Sequence, residues 1–579
     1  MNLRTFFEHI QDRRRSLLEM PQLSPQVVER LEAMEPSLAL ASASLMKRDL
    51  PRHPPQLVVL GPTQAGKSTV VNLLLGQNAA GVSPLAGFTI HPHGFFHRLE
   101  ADRLQWLDDF FSPYRRLPLE ALPRDRFDCF TTREIAHSSS RLPPCVVWDT
   151  PDFDSVRARH YRQSLMKTAA LADLLILVVS KDKYADQAVW DLLKLLEPLA
   201  HPMLVCLNKV NPDNQATLLH SWEEKWRNHR HDPPPPLAVL PYRSDPEQLR
   251  QEGEEILTRI EPLLKKMTPG RRPAKETANH LIRIHWDLWT APVRAEHEAE
   301  RRWKELVEAT LAQALDIYQH DFLDHPVAYE TLQRALAELL ILLEIPGLAR
   351  PMSYFRRVIT WPLRAAFRRR PAGKDEKSGE LLVLNRSVEH ALLQLRQALM
   401  ERRQRHDQPG HWWQALDSLY EQALTEIKRQ FRDDAGRYYQ DFQPQVEEAA
   451  RSLYLRLKEM PVTLNGLRAA RASADAAGLA LLVQTGGIGP HDLVLAPAML
   501  SMTSWLSESA LGKYMDRVAA DLKKRQREAV RALLEQRLEA TLLALPGQID
   551  SRLRFDVPAE ALKELEQQIK ERRHGLKLF

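Results

Sequence analysis

Hydrophobic positions fall into two regimes along the chain. Between residues 55 and 266, short apolar runs alternate with stretches whose apolar residues recur every three or four positions. The runs Leu57–Leu60, Cys145–Asp149, Leu174–Ser180, Met203–Asn208 and Leu237–Leu240 predict short strands of buried type. Val156–Leu171 and Gln187–Leu199 carry helical periodicity between them. Strand and helix in alternation predict an α/β domain with a mostly parallel sheet and helices on both faces. Residues 99–144 are longer than a simple connection needs and predict an insertion with its own short helix near Trp106, Phe110 and Phe111.

The flanks follow a different rule. Residues 1–50 predict two helices, the second starting at Ser24-Pro25, an N-cap followed by a first-turn proline. Beyond residue 270, β-branched runs all but vanish, and long stretches rich in Leu, Ala, Glu, Arg and Gln carry helical stripes. Leu416, Tyr420, Ala423, Ile427 and Phe431 form one stripe; Leu511, Met515, Val518 and Leu522 form another. Such stripes predict the core of a helical bundle. The domains expected are therefore N-terminal helices over 1–54 that pack with the helical region, the α/β domain over 55–266, and a large all-α bundle over 267–579.

Composition changes this picture little. A chain of 579 residues is too long for one core. The 80 basic residues are nearly matched by 75 acidic ones, leaving a net charge of +5, so total charge does not mark a nucleic-acid binder. Cys129, Cys145 and Cys206 form no disulfide framework and no metal-type pair, which fits a reducing compartment. No uncharged apolar run reaches the roughly 20 residues needed to span a bilayer. A cytoplasmic protein, peripheral at the inner face of a membrane, is the expectation.

The candidate chemistry lies where strands end. Gly61-Pro-Thr-Gln-Ala-Gly-Lys-Ser68 follows an apolar strand and opens a helix, the context a phosphate-binding loop requires. Its glycines let backbone N–H groups face phosphates, and the helix N-terminus adds its dipole. Gly61, Gln64, Ala65, Gly66, Lys67, Ser68 and Thr69 are the expected nucleotide contacts, Lys67 on the outer phosphates and Ser68 on Mg²⁺. Cys145-Val-Val-Trp-Asp149-Thr-Pro-Asp152 resembles the Asp-x-x-Gly motif of GTPases, with Asp149 toward Mg²⁺ and the Asp152 backbone toward the γ-phosphate. Asn208-Lys209-Val-Asn211 resembles their guanine-reading Asn-Lys-x-Asp motif, and Thr89 occupies the place of the switch threonine that closes on Mg²⁺.

Two departures bear on function. Asp152 stands where the motif has glycine, and Asn211 where it has aspartate; asparagine offers the guanine edge one acceptor instead of two. Asp213 is a candidate substitute, and ATP or relaxed specificity stays open beside GTP. For catalysis, Gln64 and Thr89 are the candidates to orient water or γ-phosphate, with a structural role for Gln64 equally open. Ser244 is a weak candidate for a further guanine-contacting loop. His91, His93 and His97 recur at strand spacing, where packing is a better account than zinc because no cysteine or carboxylate completes a ligand set.

A GTPase-type domain flanked by helices, with these motifs, resembles the bacterial dynamin-like proteins. The resemblance implies GTP hydrolysis, self-association through paired GTPase domains, and a helical region whose tip binds lipid. Two stretches are candidates for membrane contact. Ile345–Lys374 carries eight basic residues, no acidic one and interleaved aromatics, a composition suited to anionic lipid, to RNA phosphates or to plain solvation. Ala476–Ser507 holds one formal charge, Asp492, and reads as two apolar helices around a Gly-rich turn, buried or facing lipid. An RNA- or ribosome-associated GTPase and a weakly hydrolysing nucleotide-gated scaffold remain the alternatives.

Overall fold

The computed structural model describes residues 1–574 apart from 22, 51–52, 83–88, 100–104, 136–139, 155–157, 231, 242–245, 267–270, 325–328, 344–377, 405–408 and 469–510. Ile345–Lys374, Ala476–Ser507 and Ser244 therefore lie outside the described residues. The chain forms two compact units, Met1–Arg294 with Phe555–Phe579, and Ala295–Arg554.

The first unit begins with helices α1 (Leu3–Leu18) and α2 (Pro25–Arg48). Ser24 caps α2 as its sequence requires, its hydroxyl accepting from the Val27 N–H at 3.4 Å. An eight-stranded sheet follows, ordered β3-β4-β2-β5-β1-β6-β7-β8. The strands are β1 (Gln56–Leu60), β2 (His93–His97), β3 (Arg115–Arg116), β4 (Cys129–Ile135), β5 (Cys145–Asp149), β6 (Leu174–Ser180), β7 (Met203–Val210) and β8 (Leu237–Pro241). Its helices are α3 (Lys67–Leu75), α4 (Gln105–Phe111), α5 (Ala158–Leu171), α6 (Gln187–Leu196), α7 (Gln215–His229) and α8 (Pro246–Lys266). All five residues of β1 are buried, between parallel neighbours β5 and β6. Val70, Val71 and Leu74 of α3 pack with Ile256, Leu257 and Ile260 of α8 over the face that carries Leu57 and Val59.

The insertion contains the expected helix, α4, and also two strands. β4 and β3 extend the sheet parallel to β2, and β2 runs antiparallel to β5. These strands escape the apolar-run criterion for identifiable reasons. β4 exposes polar side chains in its second half, and β2 is bounded by histidines and broken by Gly94. Gly94 is there because a Cβ would come within 3.0 Å of the Trp148 ring.

The N-terminal helices pack within this unit. Phe6 and Phe7 lie 5.2 and 4.9 Å (ring centroids) from Trp286 and Trp289 of α9 (Arg271–Tyr318). Trp289 Nε1–H donates to Ser37 Oγ at 2.9 Å, and α2 also packs along α5. Arg14, buried, pairs with Glu35 at 3.0 Å.

Among the described residues the second unit is all helical: α9 from Ala295, α10 (Glu330–Leu342), α11 (Gly379–Gln404), α12 (Gly410–Asp441), α13 (Gln443–Lys458), α14 (Gly512–Leu533) and α15 (Ala540–Ala544). Both sequence stripes face inward: Leu416, Tyr420, Ile427 and Phe431 are buried, as are Leu511, Met515 and Leu522. Its apolar core encloses one polar node. Glu380 Oε1 accepts hydrogen bonds from Tyr318 Oη at 3.0 Å, Tyr438 Oη at 2.7 Å and Gln526 Nε2 at 2.6 Å. Gln526 in turn donates to Thr331 Oγ1 at 3.0 Å and accepts from Tyr329 Oη at 2.6 Å. The node ties α9, α10, α11, α12 and α14. Burial pushes the Glu380 carboxyl above its ordinary range, against the hydrogen bonds that favour its ionised form. Helix α16 (Ala559–His574), in the first unit, closes the described chain, with Arg294 2.7 Å from Glu566.

Two outcomes are expected at Glu380. Glu380→Leu strands three buried donors and lowers the stability of the helical unit by roughly 3–5 kcal/mol, whereas Glu380→Gln loses less than half of that. Because the folded carboxyl holds its proton more tightly than the unfolded one, its stabilising contribution is present at low pH and is lost as pH rises through the raised value. Glu380→Gln flattens that slope. Thermal unfolding of both variants across pH measures each effect.

Candidate functional site

β1, β5, β6 and β7 end along one edge of the sheet, and the conspicuous polar groups of the unit gather there. Loop 61–66 leaves β1 and turns into α3, so that Lys67 and Ser68 occupy the helix's first turn. The turn needs its glycines. A Cβ at Gly61 would lie 2.3 Å from the Val178 carbonyl oxygen; Gly66 has φ +96, and a Cβ there would lie 2.1 Å from Asn208 Nδ2. Gln64 also adopts a positive φ of 60, and its carbonyl accepts from Lys209 Nζ at 2.9 Å.

β5 delivers Asp149 beside this loop. Ser68 Oγ–H donates to Asp149 Oδ2 at 2.7 Å, while Asp149 Oδ1 is buried and has no hydrogen-bond partner. Burial is the largest influence on this carboxyl and pushes it up to about 6; the Ser68 hydrogen bond and Lys67 oppose that rise. A hard oxygen donor set with one orphaned, buried carboxylate oxygen fits Mg²⁺. Ser68 and Asp149 would hold the ion, which when bound supplies positive charge against the outer phosphates. Among the described residues no hydrogen bond ties Thr89 to either of them; Thr89 is half-buried.

The turn after Asp149 is fastened to the loop. Thr150 Oγ–H donates to the Val59 carbonyl at 2.7 Å. Lys67 Nζ donates to the carbonyls of Gly61 at 3.1 Å and Pro62 at 3.2 Å and forms an ion pair with the Asp152 carboxylate. Asp154 Oδ1 accepts from both the N–H and Oγ of Thr63, at 2.6 and 2.7 Å, and Lys183 Nζ lies 3.3 Å from Asp154 Oδ2. Burial alone would raise the Asp154 carboxyl, but Thr63 and Lys183 together hold it below the usual range.

The end of β7 supports the loop from its other side. Asn208 Nδ2 donates to the Ala65 carbonyl at 2.8 Å, and its Oδ1 accepts from the Lys209 N–H at 2.8 Å. Lys209, at φ 61, sits at an irregularity in the β7–β8 pairing. Asn211 caps the following turn, its side chain accepting from the Asp213 N–H at 3.4 Å. Asn208 and Lys209 thus touch loop 61–66, while Asn211 stands farther along.

Three contributors to this geometry were not singled out for it in the sequence. Asp154 and Lys183 had a signal, the acidic pair Asp152-Phe-Asp154, but the basic partner lies beyond the next strand. His93 is the cross-strand partner of Asp149, so its side chain shares the sheet face that carries the carboxylate. Burial pushes its imidazole down to about 4, leaving a neutral ring there. His91 and His97 bond to the carbonyls of Pro123 and Leu142 at 2.7 and 3.1 Å, and no metal-type group of His, Cys, Asp or Glu occurs among the described residues.

No protein-family model and no curated protein matches the sequence. Solved structures do. Two chains from an oligomerised bacterial dynamin pair, described as a mechanism for long-range sensing and tethering of membranes, are 12% and 13% identical to this chain. The first covers 98% of this chain and 95% of its own, the second 99% and 96%, each with a TM-score of 0.39. LeoA, a bacterial dynamin GTPase from ETEC, is 12% identical over 100% of this chain and 98% of its own, with a TM-score of 0.22.

Proposed function

We propose that this chain is a bacterial dynamin-like GTPase: it binds GTP with Mg²⁺, hydrolyses it, and couples nucleotide state to its helical region at a membrane surface. The observation that carries the nucleotide reading is the meeting of Lys67, Ser68, Asp149 and Asn208 around one glycine-bounded loop at the C-terminal edge of the sheet. Ligands of open α/β sheets bind at that edge. Lys67 and the loop N–H groups neutralise the phosphates, Ser68 and Asp149 take the metal, and the Asn208–Asn211 stretch receives the base. Gln64 and Thr89 are the proposed catalytic pair, and pairing of two copies through the nucleotide-binding domain is the proposed stimulus. Membrane tethering, described for the bacterial dynamin pair, is proposed here on different grounds, the basic and aromatic composition of 345–374. Among the described residues no helix is long and apolar enough to cross a membrane.

Three measurements test these assignments. Lys67→Ala removes a charge-assisted contact to phosphate and weakens GTP binding by about 100-fold or more in calorimetric titration; wild-type affinity in a folded variant overturns the nucleotide reading. Asn211→Asp restores a second acceptor to the guanine edge and raises the GTP-over-ATP preference by roughly 1–3 kcal/mol in competition binding. An unchanged preference moves base reading to Asp213. Reversing Arg368, Arg369 and Arg370 to Glu removes roughly 3 kcal/mol or more of attraction to an anionic surface. The variant stays in the supernatant with acidic liposomes and keeps basal hydrolysis, while tight RNA binding without lipid binding replaces the membrane reading by the RNA one.

A further inference from the structure

The Asp152–Lys67 ion pair has no place in the grip of a phosphate loop on its nucleotide. The Lys67 ammonium is 5% exposed and the Asp152 carboxylate 10% exposed, so neither charge is satisfied by bulk water. An ammonium has three donors. Those of Lys67 meet the Gly61 carbonyl, the Pro62 carbonyl and Asp152. Outer phosphates that take Lys67 as a partner must therefore displace one of the three. The two carbonyls belong to the loop that cradles the phosphates; the carboxylate is an anion delivered by a separate turn.

We propose that Asp152 is a built-in anion that occupies Lys67 in place of phosphate, so that a nucleoside triphosphate enters only by displacing this carboxylate. This rests on the nucleotide reading above. Displacement leaves a carboxylate beside the phosphates, and the repulsion grows with the charge that a γ-phosphate adds. Asp152 therefore weakens triphosphate binding more than diphosphate binding, where glycine would favour neither. The same turn holds a second carboxylate on the loop, Asp154 on the N–H and hydroxyl of Thr63, neutralised by Lys183. Displacing Asp152 thus breaks a tie between turn 150–154 and the loop, and the turn then answers to whether a phosphate sits on Lys67. The site carries its own competitor, and it gives up triphosphate affinity most.

The test is calorimetric titration of the full chain, with Mg²⁺, against a non-hydrolysable GTP analogue and against GDP. Wild type, Asp152→Ala and Asp152→Asn are compared, with melting curves to establish that each is folded. Asp152→Asn keeps an acceptor for Lys67 and removes only the charge. Both variants are expected to bind the analogue about tenfold more tightly than wild type, and GDP with a smaller gain. A rise in the triphosphate-to-diphosphate preference supports the proposal. An unchanged or lower preference in folded variants overturns it and leaves the nucleotide reading standing. Failure of wild type and variants alike to bind either nucleotide overturns the nucleotide reading, and this proposal with it.

Discussion

The first unit is organised by a strand that cannot expose anything. β1 is buried along its whole length, with β5 on one side and β6 on the other. A strand in that position has room for chemistry only at its ends. Its register with its neighbours decides what meets it there. Val59 pairs with Asp149, and Ser180 of β6 pairs with Asn208 of β7, so the acidic and amide side chains arrive at the edge where loop 61–66 emerges. The loop then has to turn sharply between packed strands, which is why Gly61 sits against the Val178 carbonyl and Gly66 against the Asn208 amide. Fold and site follow from one constraint, a central strand that fills its surroundings, satisfies its one polar side chain, Gln56, internally on Trp148 and Pro54, and opens only at its exit.

Each unit buries a charged group, and the two are satisfied in different ways. Glu380 Oε1 meets neutral donors, two phenols and an amide, on helices that come together around it, and Arg334 lies 4.0 Å from its other oxygen. Nothing there competes for the same place, so the node specifies one packing. Lys67 instead meets two carbonyls of its own loop and one carboxylate from a turn. A carboxylate and a phosphate oxygen present the same kind of acceptor to an ammonium, so this arrangement admits exchange. The contrast separates a polar core that fixes structure from one that can report a ligand.

Much of this was legible in the sequence because it is carried by local patterns. The five apolar runs are five of the eight strands, and Ser24-Pro25 starts α2, since burial on both faces and cap chemistry act over a few residues. Loop 61–68 was legible for the same reason: its glycines answer a local backbone demand. What the sequence did not yield depends on partners far along the chain. β2 and β4 are too polar to read as buried runs and become strands because β5 offers an edge to β2, and β2 in turn to β4. His93 reads as one of three histidines at strand spacing until the antiparallel register sets it opposite Asp149. Asp152 reads as a defect in a motif until Lys67, 85 residues away, is seen to hold it.

The two departures from the motifs that the sequence resembles lie on separable parts of the site. Asp152 touches Lys67, the lysine proposed to hold phosphate, so on that proposal its effect falls on any nucleotide whatever its base. Asn211 caps the turn after β7 and makes no bond to loop 61–66 among the described residues, so on the same proposal its effect falls on the choice of base. Between them, Asn208 and Lys209 bond to the carbonyls of Ala65 and Gln64 at 2.8 and 2.9 Å. The stretch proposed to read the base therefore also braces the loop proposed to hold the phosphates. On that proposal, a base that draws the 208–211 stretch into place steadies loop residues 64 and 65, and a base that does not leaves the loop without that brace. Discrimination between bases need not rest on Asn211 alone, because part of it can be expressed through the shape of the phosphate loop.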